Sequence, residues 1–196
     1  MKRKELQALL LEAPFDALVL TGEINRRYAT GFHSTAGAVY LSAKQAVFYT
    51  DFRYVEAARA TVTYFEVREI GVGRSYTAAV NELIEQDGVK PLALEDETLT
   101  HAAFPGWAAA LHATAVRLEG RVTRLRVAKE DSEVEKIVAA QRIAEQAYEE
   151  VLGDIRAGVT EKEIAARLTY LMLHYGAENM SFDPIVVSGA NSSTPH

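Results

Sequence analysis

The chain has 196 residues, 48% hydrophobic and 24% charged, with no cysteine and a net charge of −6. That makeup supports a buried core and excludes a disordered chain, a disulfide scaffold, thiol catalysis and a Cys-type zinc site. The negative balance argues against a nucleic-acid backbone or an anionic membrane as partner, and the lack of cysteine fits a reducing cytoplasm, the expected location.

The opening MKRKELQALLLEAPFDALVL places basic residues before apolar ones, as a secretory leader does, but Glu5, Gln7, Glu12 and Asp16 interrupt the apolar run. Leu6, Leu9, Leu10 and Ala13 fall at helical spacing instead and predict an amphipathic helix over about Lys2–Leu11. No stretch approaches ~18 uninterrupted apolar residues, so no membrane span is expected. Ala17–Leu20 reads as a short strand, and Ala38–Leu41 with Ala46–Tyr49 as a hairpin across the polar Ser42–Gln45 connection. Asp51–Ala60 reads as helix, Thr61–Ile70 as strand, Thr77–Glu85 as helix with Ser75 as its N-cap, and Pro91–Leu94 as strand. Thr100–Leu111 completes the series as a helix despite Pro105. Such alternation predicts a mixed α/β domain, a sheet flanked by helices.

From Arg121 the run RVTRLRVAKEDSEVEK is charged and free of Gly and Pro, and reads as a connector. Ser132 and Glu135 have capping-box spacing, and Val134, Ile137, Val138, Ala144, Tyr148, Val151, Leu152 and Ile155 follow as one apolar stripe, with Gly158 closing that helix. Thr160 and Glu163 form a second capping box ahead of the stripe Ile164, Leu168, Leu171, Met172 and Tyr175, which Gly176 ends. Striped helices must rest on something, and the remaining strand signal is Ile185–Val187. Two helices and one strand do not enclose a core, so this second domain is expected to be incomplete, with its sheet lying beyond residue 196.

The five histidines, His33, His101, His112, His174 and His196, show no metal-ligand spacing such as H-E-x-x-H. His174 sits in the last turn of a helix, where a cation suits the dipole, and His101 and His112 bracket a helix as surface residues. His33 lies in the small-residue loop GFHSTAG, and loop placement makes it a candidate. Glu95-Asp96-Glu97 reads as a solvated turn and helix entry, since no spaced partners accompany it. Gly71-Val72-Gly73 lacks the third glycine and later acid of a dinucleotide fingerprint. The closing segment FDPIVVSGANSSTPH combines a glycine, an asparagine, hydroxyls and a proline ahead of His196, whose imidazole could donate to a developing oxyanion. On these features alone, an active-site loop and a frayed terminus are equally open readings.

Phe182-Asp183-x-Ile185-Val186-x-Ser188-Gly189-x-Asn191-Ser192-x-x-Pro195-His196 resembles a segment of the Xaa-Pro aminopeptidases and prolidases, the dinuclear pita-bread metallopeptidases. The resemblance extends through Lys129-x-x-x-Glu133-x-x-x-Ile137, Gly158-x-Thr160-Glu161-x-Glu163 and Gly176-Ala177-Glu178. Arg27-Tyr28-x-Thr30-Gly31-Phe32, Ala36-Gly37, Thr50-Asp51-x-Arg53-Tyr54 and Glu95-Asp96-x-x-Leu99-Thr100 carry it through the first domain. It implies a creatinase-like N-terminal domain over residues 1–127 and, over 128–196, the first helices and strand of an incomplete α+β pita-bread domain.

It also implies a parent enzyme that cleaves the bond before proline in proline-containing peptides. Two divalent ions, Mn²⁺ foremost, would share a hydroxide made nucleophilic by metal binding. Their ligands (two aspartates, a histidine and two glutamates) map to no position in this chain, which is expected to bind no metal and to be inactive alone. His196 matches a substrate-pocket histidine that orients substrate and stabilises the tetrahedral intermediate. A homodimer is implied, with Phe32–Gly37 and His33 helping to shape the partner's pocket, although His33-Ser34-Thr35 stands where a Gly-containing stretch is more usual. The alternatives are a non-catalytic pita-bread binding or oligomerisation protein and a metal-free creatinase-like hydrolase.

Overall fold

The computed structural model describes residues 2–195. The chain divides into two units, Met1–Ala128 and Lys129–His196. In the first, helix α1 (Lys2–Glu12) precedes β1 (Ala17–Leu20), α2 (Glu23–Thr30), β2 (Ala38–Ser42), β3 (Ala46–Thr50), α3 (Val55–Thr61) and β4 (Glu66–Glu69). Then come α4 (Tyr76–Asp87), β5 (Pro91–Leu94), α5 (Ala103–Ala110), β6 (Thr114–Arg117) and α6 (Arg121–Leu125). The strands form one mixed sheet of order β4-β3-β2-β1-β5-β6. β2 is antiparallel to both β1 and β3, whereas β4 runs parallel to β3, β5 to β1 and β6 to β5.

Side chains alternate across this sheet with the period of two that a pleat imposes. Leu18, Leu20, Val39, Leu41 and Phe48 face one core with Leu6 of α1, Tyr28 of α2, Ala58 of α3 and Val122 of α6. Val19, Tyr40, Val47, Tyr49, Leu92 and Leu94 face the other, against Ala79, Val80, Leu83 and Ile84 of α4. Burial on both faces explains why the central strands read as unbroken apolar runs. Ser75 caps α4, its hydroxyl accepting from Ala78 N at 3.1 Å. Pro105 falls in the first turn of α5, where a missing N–H costs little.

Several boundaries differ from the sequence expectation. Only Glu66–Glu69 of Thr61–Ile70 pairs with β3, while Val62 and Phe65 serve as core plugs from the preceding loop. β6 and α6 had no clear signal: β6 is a four-residue edge strand, and α6 lies inside the charged run taken as a connector. Among the described residues no helix is long and apolar enough to cross a membrane.

The second unit consists of α7 (Asp131–Leu152), α8 (Glu161–His174) and the segment that follows. α7 begins two residues earlier than the Ser132 capping box would have it. Glu130 is the N-cap and its amide donates to Glu133 Oε2 at 3.1 Å. The helix also stops at Leu152, short of Gly158. The Thr160 box is as expected: Thr160 N donates to Glu163 Oε2 at 2.8 Å and Glu163 N to Thr160 Oγ1 at 3.3 Å. Among the described residues of this unit, Ala147, Val151, Ile164 and Leu171 form the buried core between the helices. Val134, Ile137, Val138, Tyr148, Leu152 and Ile155, the rest of the α7 stripe apart from Ala144, remain exposed.

Candidate functional site

Because β5 is parallel to β1, with Val19 opposite Leu94, the ends of these strands share one rim of the sheet. Glu95 leaves β5 there and meets the N-terminus of α2, whose first amides have no helical acceptor. Its carboxylate is 1% exposed and accepts from Thr21 N and Gly22 N at 2.7 Å each and from Asn25 Nδ2 at 2.6 Å. A side chain at Gly22 would collide with it, a Cβ there lying 2.8 Å from Glu95 Oε1. Asp96 accepts from Arg117 Nε at 2.7 Å and Glu119 N at 2.9 Å. Glu97 accepts from Thr123 Oγ1 at 2.6 Å. Asp96 and Glu97 lie in a turn as expected, with Glu97 exposed, whereas Glu95 is buried and not solvated. The triplet joins β5 to α2, β6 and α6.

On the same rim, Arg26 is 4% exposed and shapes the loop that bears His33. Its guanidinium donates to the carbonyls of Ser34 at 2.7 Å and Gly37 at 3.0 Å, and also to that of Thr21. Thr35 Oγ1 and Tyr54 OH lie 2.8 Å apart. Gly37 has φ +150°, and a Cβ there would sit 2.7 Å from Tyr49 O, so the loop tucks against β3 only with glycine. Held this way, the loop presents His33 to solvent, its side chain 56% exposed and its Nε2 2.7 Å from Glu23 Oε1. The remaining described histidines have structural surroundings. His112 Nδ1 lies 2.7 Å from Glu85, His174 stacks on Tyr170 at 5.6 Å between ring centroids, and His101 is exposed.

In the second unit the segment after Met180 is not as expected. Ile185–Val187 forms no strand, for no neighbouring strand offers it a ladder among the described residues. Val186 instead packs against the α7–α8 core, and Gly189–Ser193 turns into a short 3₁₀ helix. Gly189 opens that turn at φ +53°, a conformation glycine adopts without strain. The polar anchor is Glu161, in the first turn of α8. It accepts from Ser188 N at 2.6 Å, from Ser188 Oγ at 3.3 Å, and from Asn191 Nδ2 at 3.1 Å and 3.0 Å to its two oxygens. The Ser188 amide above all, then Asn191, holds the Glu161 carboxyl below its usual pKa. An apolar groove of about 490 Å³ runs alongside, lined by Tyr148, Leu168, Met172, Met180, Phe182 and Ile185.

His196, the candidate catalytic residue, lies outside the described residues. His33 belongs to the first unit, so the two candidates are not brought into one described site. Among the described residues no group of three or more His, Asp or Glu could hold a metal ion. Glu95 and Glu161 went unrecognised in the sequence, although Glu161 stood inside the Gly158-x-Thr160-Glu161 match and its helix-start position was legible from Thr160.

A six-stranded mixed sheet with helices on both faces defines an α/β domain, which leads into a second unit with a capped helix pair. Residues 2–128 match the creatinase/prolidase N-terminal domain family and residues 135–196 the metallopeptidase family M24. The chain belongs to the creatinase/prolidase N-terminal domain family. An uncharacterized peptidase of Bacillus subtilis strain 168 is 34% identical over 100% of this chain and 55% of its own length. A solved Xaa-Pro dipeptidase from Bacillus anthracis superposes with a TM-score of 0.91 at 37% identity, covering 100% of this chain and 54% of that one. An X-Pro aminopeptidase from Thermotoga maritima gives a TM-score of 0.86 at 32% identity over 98% of this chain and 55% of its own. The chain thus spans about half the length of these relatives.

Proposed function

We propose that the chain is the N-terminal part of a metal-dependent Xaa-Pro peptidase, with a creatinase-like domain over residues 1–127 and the start of a pita-bread domain over 128–196. One observation carries this reading: similarity to an Xaa-Pro dipeptidase runs through the full chain at 37% identity, with both units included. The substrate is a proline-containing peptide and the scissile bond precedes proline. Divalent ions of the Mn²⁺ class would supply a nucleophilic hydroxide at neutral pH, on ligands within the half of the relatives' length that this chain does not cover.

This chain's own part is binding and charge stabilisation. His196 donates from its imidazole to the substrate carbonyl oxygen as negative charge develops there. Gly189 and the small side chains of Ser192 and Ser193 leave room for a peptide backbone. His33, on the Arg26-pinned loop, helps to close the pocket of a second copy in a homodimer. Cytoplasmic location accords with the lack of cysteine, and the net charge of −6 favours no nucleic-acid or membrane partner.

The test is to express the longer gene product and assay Xaa-Pro dipeptides and Xaa-Pro-Yaa tripeptides with Mn²⁺ and after chelation. Hydrolysis before proline that stops on chelation and returns with the metal is expected. Activity unaffected by chelation would point to the creatinase-like alternative, and peptide binding without hydrolysis to the non-catalytic one.

A further inference from the structure

The rim of the sheet opposite Glu95 and Arg26 holds a cavity of about 780 Å³. The strands place it there. Ala17, which starts β1, pairs with Ser42, which ends β2, and Asp16 N donates at 2.9 Å to the carbonyl of Pro91, which starts β5. Leu10, Leu11, Pro14 and Phe15, at the end of α1 and on its way into β1, wall the cavity together with Val89 after α4. Small-molecule sites have this size, about 300–1,000 Å³, with apolar walls and a few polar groups that fix orientation. We propose that this cavity is a binding site for a small organic cation, a primary ammonium group on an apolar body. The proposal is independent of the function argued above. Leu11, 85% exposed, leaves apolar surface for such a body to cover.

The lining charges select the sign of the ligand. Asp16 and Asp87 both border the cavity. So does the end of α4, which has no basic residue in its last turn and carries the partial negative charge of a helix C-terminus. Lys44 is the one cation among the described lining residues, and its ammonium is committed to that helix end, donating to Asp87 O at 2.7 Å. The two carboxylates are left in excess. Burial opposes the charge on Asp87, but hydrogen bonds from Gln45, Ser42 and Tyr40 outweigh it, so the group is ionised at neutral pH.

Both carboxylates also keep accepting capacity, since each offers about four lone-pair sites. Asp87 Oδ2 accepts from Tyr40 OH at 2.9 Å and Ser42 Oγ at 2.5 Å, whereas Oδ1 accepts from Gln45 Nε2 alone among the described residues, at 2.8 Å. Asp16 Oδ2 accepts from Lys90 N at 3.0 Å, and its Oδ1 has no hydrogen-bond partner among the described residues. Each free site can take an N–H of an ammonium group. An anion would instead meet two like charges and the negative end of α4. A neutral apolar molecule would use the wall and leave the carboxylates unanswered.

Titration of the 196-residue chain with phenethylamine, followed through backbone amide resonances, tests this. Saturable shifts are expected at Lys44, Gly88 and Val89. Phenethyl alcohol, with the same body and no charge, should bind about tenfold more weakly at low salt, the contribution expected of two solvent-exposed ion pairs, and hydrocinnamate more weakly still. Asp16→Asn should lower the affinity for phenethylamine about threefold and leave that for the alcohol unchanged. Its side-chain oxygen still accepts from Lys90 N, so the fold is kept. Gln7→Trp, on the face of α1 that lines the cavity, should fill it and remove the saturable shifts, with the unfolding midpoint near the parent's. Absence of saturable shifts with phenethylamine, equal or tighter binding of the alcohol or the carboxylate, or an affinity indifferent to Asp16→Asn overturns the proposal. Shifts that persist in Gln7→Trp place the probe elsewhere and overturn it as well.

Discussion

At the residue scale, Glu95 shows how a charge can be buried safely. Three donors meet its two oxygens, and one of them, Asn25, accepts in turn from Arg126 NH1 at 2.9 Å. Removing the carboxylate strands those donors, so Glu95→Ala should lower unfolding stability by about 2–3 kcal/mol, measured by urea denaturation of the chain. Glu95→Gln should cost less, since one oxygen still accepts. None of this was legible in Glu95-Asp96-Glu97. The triplet looks solvated until β5 is laid beside β1 and its end meets the amides of Thr21 and Gly22. Arg26 and Gly37 were hidden for the same reason: their partners are backbone carbonyls, which have no sequence signature.

Asp87 gives a pH dependence. Burial alone would raise its pKa, but hydrogen bonds from Gln45, Ser42 and Tyr40, at 2.8, 2.5 and 2.9 Å, outweigh it and hold the carboxyl below its ordinary value. With the folded pKa depressed, this contribution is full above the unfolded carboxylate range and is lost as pH falls through the folded value. Asp87→Asn should therefore lower stability by a constant amount above that range and converge on the parent at low pH, which flattens the acid limb of a stability-versus-pH curve. A parallel fall at every pH would contradict this.

At the scale of elements, propensity and capping were informative where the partners are local. The Thr160–Glu163 box, the Ser75 cap and the β2–β3 hairpin each depend on residues a few positions apart, and each appears as expected. Thr160→Ala should destabilise α8 by about 1 kcal/mol, read as faster amide exchange in its first turn. Elements set by distant partners were less legible. Ile185–Val187 is apolar and β-branched, yet a strand requires a neighbour to pair with. Ser132 has capping-box spacing, but Glu130 and Glu133, two residues earlier, take the role.

At the scale of the whole molecule, the two units differ in how far they close. The first wraps both faces of its sheet with helices. Among its described residues the second buries a core of four apolar side chains and leaves most of the α7 stripe in solvent, with Ile137 at 55% and Ile155 at 59% exposure. Apolar stripes of this extent mark a surface that another part of a protein covers, as expected if the relatives' remaining length packs here. In the 196-residue chain, amides of α7 and α8 should exchange well before those of β1 and β2, and a hydrophobic dye should bind the second unit. Equal protection in both units would show that the helix pair is self-sufficient. This open face was readable from the stripes, because helical periodicity reports which side must be buried without reporting what buries it.

The proposal that His196 donates to the carbonyl oxygen of a peptide bond before proline is tested most directly by His196→Ala in the longer enzyme. With folding and metal content matched to the parent, kcat on an Xaa-Pro peptide should fall by about a hundredfold or more, as when an oxyanion donor is removed. A variant that turns over at the parent rate would contradict it.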